Sequence, residues 1–150
     1  MSSQRITHTV FYESTPEIVW EYLTNPDLMA LWLMKSDFKP ELGYEFIFQG
    51  PKMPDLGFDG LIHCKVLELK PNERLSYTWN MGPGDGTLSV DSVVAFSLKA
   101  TKDGTELFLE HIGHKVGYPT LFTSMDKGWL QNLQKIDKLI KEARHVGARS

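Results

Sequence analysis

Cysteine is nearly absent. Cys64 is the only one in 150 residues, which rules out an intrachain disulfide and a cysteine-based zinc cluster. Long apolar runs are missing too. No segment approaches the roughly 18 apolar residues of a membrane span. The opening MSSQRITHTV has no apolar stretch of signal-peptide length, so a cytoplasmic protein is the default expectation. Neither charge sign dominates, with 16 Lys and Arg against 19 Asp and Glu for a net −3. That balance gives no electrostatic reason to expect nucleic acid, whose binding leans on clustered basic side chains. The one basic stretch, through Lys138, Lys141, Arg144 and Arg149, reads as the polar face of a helix and its tail. There is no Gly-x-Ser-x-Gly, no phosphate-cradling glycine loop, no His-Glu-x-x-His and no dinucleotide fingerprint, so no cofactor is expected. With no repeat, low-complexity tract or linker, residues 1–150 are expected to form a single domain.

Aromatic side chains, by contrast, are plentiful: 4 Trp, 8 Phe and 5 Tyr. Such bulky rings line cavities as well as cores. Their placement follows two periods. From Gln4 to Glu13, Ile6, Val10 and Tyr12 alternate with Thr7 and Thr9, the pattern of a strand. Thr15-Pro16-Glu17 then starts a helix, with a capping hydroxyl, a proline where its missing N–H is harmless and an acid at the positive end. Asn25-Pro26-Asp27 repeats the device at once, giving two short helices back to back.

From Ser36 to Leu109 the period is nearly all two. Ser36–Lys39 is expected as a short strand. Phe46 and Phe48 share one face of the next, and a long strand runs from Phe58 to Leu69. Leu75, Tyr77 and Trp79 follow, then Val90, Val94, Phe96 and Leu98, then Leu107, Leu109 and His111. Short turns such as Lys102-Asp103-Gly104 make successive strands antiparallel. After Pro119 the period changes. Phe122, Met125, Trp129, Leu133, Ile136, Ile140 and Ala143 mark one stripe of a long helix reaching about Arg144. Gly128 stands inside it at a cost of about 1 kcal/mol relative to alanine. That implies either a close backbone approach or a need for space beside Trp129.

Several phrases in this order resemble one family. Thr15-Pro16-Glu17-Ile18-Val19-Trp20, Thr24-Asn25-Pro26 and Trp32 resemble the opening of the heat-shock-protein-90 ATPase activator homologue-like family, within the START-like and birch-pollen-allergen-like (SRPBCC) superfamily. Gly60 with Val66-Leu67-Glu68, the run Pro71 to Trp79, Gly104-Thr105-Glu106-Leu107, and Gly128-Trp129 with Leu133 extend the likeness over nearly the whole chain. The resemblance implies an α+β helix-grip fold: a curved antiparallel sheet of about seven strands around a long C-terminal helix, with two short helices after the first strand. It also implies a cavity between sheet and helix, often suited to an apolar ligand. The co-chaperone that named the family has an additional N-terminal domain, which is not expected in 150 residues.

The candidate ligand-binding residues are Trp32, Phe46, Phe48, Trp79, Phe96, His111, Phe122, Met125 and Trp129, all on stripes facing one interior. Plain packing must explain several of them. Met81, like Met125, suits an adaptable pocket wall, and the loops Pro51–Gly57 and Gly82–Gly86 are placed to gate a mouth. His111 continues an inward stripe, so it is either a satisfied core histidine or a polar group that orients a ligand or acts as acid or base. His111 and His114 face opposite sides of a strand and make no metal pair; no metal site is expected. Cys64 and His63 point apart for the same reason, and Cys64 reads as a small buried hydrophobe. Glu106 and Glu110 share the outer face, where paired acid–base work is not expected.

Three functions are carried forward. The first is binding of a small apolar or aromatic molecule between sheet and helix. The second is a protein-interaction module, with a chaperone partner by family analogy alone. The third is a cyclase- or hydratase-like enzyme with acid–base help from His111. No catalytic residue is nominated. A homodimer is the default oligomer, although no exposed apolar stripe marks an interface.

Overall fold

The two back-to-back caps form as expected, and they set the path of the whole chain. The structure, a computed structural model, describes residues 4–149, with side chains as far as residue 143. Strand β1 (Gln4–Tyr12) leads into helices α1 (Pro16–Thr24) and α2 (Pro26–Trp32). Asn25 ends the first helix and starts the second: its N–H donates to the Glu21 carbonyl, and its side chain accepts from the Asp27 N–H at 2.9 Å. Removing such a cap costs about 1 kcal/mol. Asn25→Ala is therefore expected to lower the thermal midpoint by about 2–4 °C, measured by circular dichroism, with the native spectrum otherwise unchanged.

Five further strands follow: β2 (Glu45–Gln49), β3 (Leu61–Lys70), β4 (Arg74–Met81), β5 (Val90–Ala100) and β6 (Thr105–Val116). Their order across the sheet is β1-β6-β5-β4-β3-β2, and every pair is antiparallel. The first and second strands thus occupy opposite edges, and α1 and α2 span the distance between them. Register shifts at Val66/Glu68 and Asp91/Ser92 are extra residues on one strand of a pair. Such bulges bend a sheet and increase its twist.

Among the described residues, six strands form where about seven were expected. Ser36–Lys39 stays irregular, with only an isolated bridge from Lys35 to Gln49. Its polar groups bond locally instead. The Ser36 hydroxyl accepts from the Phe38 N–H at 3.3 Å, and the Tyr44 hydroxyl donates to the Asp37 carbonyl at 3.0 Å. Strand β3 begins at Leu61 rather than Phe58, because Gly60 takes a φ of 94° and breaks the ladder there.

Helix α3 (Pro119–Arg149, 31 residues) runs past the expected end and spans roughly 46 Å. It packs against β1, β6 and α2. Phe122, Trp129, Leu133, Ile136 and Ile140 are buried along it, whereas Ala143 is exposed. The side chains of Arg144 and Arg149 lie outside the described residues. Two tethers join α3 to β1: the Tyr12 hydroxyl donates to the Leu133 carbonyl at 2.8 Å, and the His8 ring lies 2.6 Å from the Asp126 carboxylate. Among the described residues, no helix is long and apolar enough to cross a membrane.

Candidate functional site

Strand alternation aims Leu75, Tyr77, Trp79 and Met81 of β4 at one interior, together with Phe46 and Phe48 of β2 and Phe96 of β5. Most of that interior is filled by rings. Phe46 meets Phe48 edge-on at 5.3 Å and Tyr77 at 5.1 Å, and Phe38 closes the group at 4.9 Å from Phe46. Phe96 joins Trp32 at 6.3 Å and Trp129 at 5.8 Å, both edge-on. These separations are typical of packed aromatic pairs. Trp32, Phe46, Phe48 and Phe96 therefore serve each other as neighbours, and Phe122 sits 5.0 Å from the His111 ring.

His111 is 0% exposed and bonded at both nitrogens. The Trp129 indole N–H donates to Nδ1 at 2.9 Å. An indole N–H can only donate, so Nδ1 must be the bare nitrogen and the ring proton sits on Nε2. Nε2 then donates to Ser92 Oγ at 2.8 Å, and the Ser92 hydroxyl donates to the Trp79 carbonyl at 2.5 Å. The chain runs in one direction from α3 through β6 and β5 to β4, with every group satisfied. Burial lowers the His111 pKa from 6.5 to about 3. Ser92 was missed in the sequence, although a serine between Val90 and Val94 on an inward stripe was a visible signal.

Among the described residues, space remains on the face of α3. A crevice of about 120 Å³ is lined by Leu33, Met34, Trp79, Met125, Gly128, Trp129 and Asn132. It brings together Trp79, Met125 and Trp129 of the expected residues. The other six are absent from its wall. Met81 is buried elsewhere, and Met34 supplies the second methionine. Asn132 lies one heptad after Met125 and so on the same helix face, a signal that was available. Leu33 and Met34 follow α2 with no pattern to mark them.

The two glycines beside this region behave differently. A Cβ on Gly113 would lie 2.6 Å from Val116 and 3.1 Å from the Phe122 ring, so that glycine is required by packing. A Cβ on Gly128 would meet nothing within 4 Å. The close-approach reading of Gly128 is therefore wrong; open space lies beside it, on the wall it shares with Trp129.

The loops expected to gate a mouth lie against each other instead. The Asp59 N–H donates to the Gly82 carbonyl at 2.8 Å, and the Ser89 hydroxyl to the Gly57 carbonyl at 2.6 Å. They border two other hollows, of about 470 and 540 Å³, and contribute nothing to the crevice wall. Cys64 is buried with its thiol pushed up by desolvation, while His63 is exposed on the other face. Glu106 is exposed, and Glu110 pairs with Arg5 at 3.3 Å. Among the described residues, no group of three His, Cys, Asp or Glu could hold a metal ion.

The family profile described as Activator of Hsp90 ATPase homolog 1-like protein matches residues 13–141. Among solved structures, protein MLL2253 from Mesorhizobium loti is 33% identical, with a TM-score of 0.81 over 93% of this chain and 98% of that one. Protein BH1534 from Bacillus halodurans is 27% identical, with a TM-score of 0.71 over 92% and 98%. Protein NE0264 from Nitrosomonas europaea is 18% identical, with a TM-score of 0.74 over 94% and 96%, a likeness of fold alone. No curated protein matches the chain.

Proposed function

The chain belongs to the family described as Activator of Hsp90 ATPase homolog 1-like protein, and from that footing we propose that it binds a small apolar molecule between α3 and the sheet. One observation supports this above the rest: an apolar crevice of about 120 Å³ stays open beside a glycine that nothing else requires. A cavity of about 150 Å³ accommodates a benzene ring, so the occupant is of single-ring scale.

The same geometry gives catalysis no support, because both ring nitrogens of His111 are engaged within the protein. Thermal unfolding with toluene, cyclohexanone or methylenecyclohexane tests the reading. A ligand present at ten times its Kd stabilises by about 1.4 kcal/mol, which raises the midpoint by about 3–6 °C. No shift and no change in tryptophan emission with any of the three would overturn it.

A further inference from the structure

The two edges of the sheet are finished differently. At β2, the preceding segment supplies partners: the Gln49 N–H donates to the Lys35 carbonyl at 3.1 Å, and the Ile47 N–H to the Asp37 carboxylate at 3.4 Å. That strand is also short, at 5 residues. At the other edge, β1 has 9 residues in unbroken register with β6, from Gln4 opposite Gly113 to Tyr12 opposite Thr105. Among the described residues, nothing bonds to the outward-facing backbone groups between Arg5 and Phe11. A long, regular edge is a template for another strand, and proteins commonly blunt it with proline, lysine or a bulge. The strand QRITHTVFY carries none of the three.

The outer face beside this edge has the makings of an interface. Arg5, Thr7, Thr9 and Phe11 are all exposed, Phe11 at 46%, and Phe108 on β6 adds a second ring at 39%. We propose that β1 joins a second copy of this chain, antiparallel about a twofold axis at His8, so that two six-stranded sheets become one. Strand alternation keeps outer residues opposite outer residues in this register. It pairs Thr7 with the partner's Thr9 and sets Arg5 opposite the partner's Phe11. Glu106 stands next to Phe11 on the same row, so each Arg5 guanidinium covers a ring and reaches a carboxylate beyond it. No row then carries two charges of one sign. Moving the axis to Thr7 leaves Phe11 beyond the seam, and moving it to Thr9 puts Glu106 and Glu110 on one row. A strand of unrelated sequence would find the same backbone groups but not this match of Arg5 to Phe11 and Glu106, which is why the partner is a second copy.

Sedimentation velocity of the full chain tests this directly. A species of twice 17.1 kDa is expected at micromolar concentration, dissociating on dilution. Combining Thr7→Lys with Thr9→Lys sets like charges directly opposite each other across the seam. That variant is expected to be monomeric with an unchanged circular dichroism spectrum. Arg5→Glu is expected to weaken the dimer about tenfold, and adding Glu106→Arg to restore it, because the two charges meet only across the interface. This charge exchange decides the matter even if the lysine variant fails to fold. Outward-facing amides of β1 should also exchange with deuterium more slowly as protein concentration rises. A wild type that stays monomeric at high micromolar concentration overturns the proposal. So does a dimer that survives both sets of substitutions, since its interface would then lie elsewhere.

Discussion

Lowering the pH from 7 to 3 is expected to destabilise the fold by about 4 kcal/mol through His111 alone. Its pKa is lowered from 6.5 to about 3 in the folded protein, and burial is the cause. Between those values the unfolded chain binds a proton that the folded ring refuses. Stability from this ring is therefore complete above about pH 6.5 and falls by about 1.4 kcal/mol per unit below it. It stops falling below about pH 3, where both states are protonated. The surroundings offer the imidazolium nothing: Trp79, Phe122 and Trp129 present rings, and Ser92 presents a hydroxyl. Protonating Nδ1 would also set two N–H groups against each other where Trp129 now donates.

Carboxylates add losses of the same sign. Glu68, for one, is held below its ordinary pKa by hydrogen bonds from Ser76 and Arg74. Urea unfolding of the wild type and His111→Gln from pH 3 to pH 8 separates the contributions, since glutamine does not titrate. The two stability profiles should converge as the pH falls through 6.5. Parallel profiles would mean that the ring is not held neutral in the folded state.

The fold was legible because local chemistry and global layout agree. Thr15-Pro16 and Asn25-Pro26 announce helices through capping and proline geometry, and alternation on β4, β5 and β6 places the inward stripes correctly. The misplaced segment, Ser36–Lys39, fails for a specific reason: Ser36 accepts locally from the Phe38 N–H and the Asp37 side chain accepts from the Ile47 N–H of β2, and such bonds compete with a ladder. The site was only partly legible. Periodicity puts nine residues on inward faces, but it cannot say which rings fill the space between them. Trp32, Phe46, Phe48 and Phe96 occupy one another's space, whereas Trp79, Met125 and Trp129 border what is left. That outcome depends on volumes and rotamers, which do not appear in a hydrophobic pattern. Gly128 is a poor helix residue in the middle of a long helix, and it stands on the crevice wall.

Gly128→Leu is accordingly expected to stabilise the protein while weakening ligand binding at least 100-fold, a loss of about 2.7 kcal/mol in binding. Two effects favour the folded variant. Leucine recovers most of the roughly 1 kcal/mol that glycine forfeits in a helix, and its side chain buries apolar surface against Met125 and Trp129 instead of leaving a void. The alternative, a glycine needed for close approach, predicts the opposite sign, because overpacking would cost about 1–3 kcal/mol. Chemical unfolding thus decides the structural half of the question without any ligand. Gly128→Ala should fall between, gaining about 1 kcal/mol while leaving part of the space open. Titration with cyclohexanone decides the other half. A variant that is more stable yet binds as well as the wild type would move the ligand away from α3. A variant that is more stable and no longer binds would explain why a helix this long retains glycine at its face: the position is held below its best stability so that a molecule can occupy it.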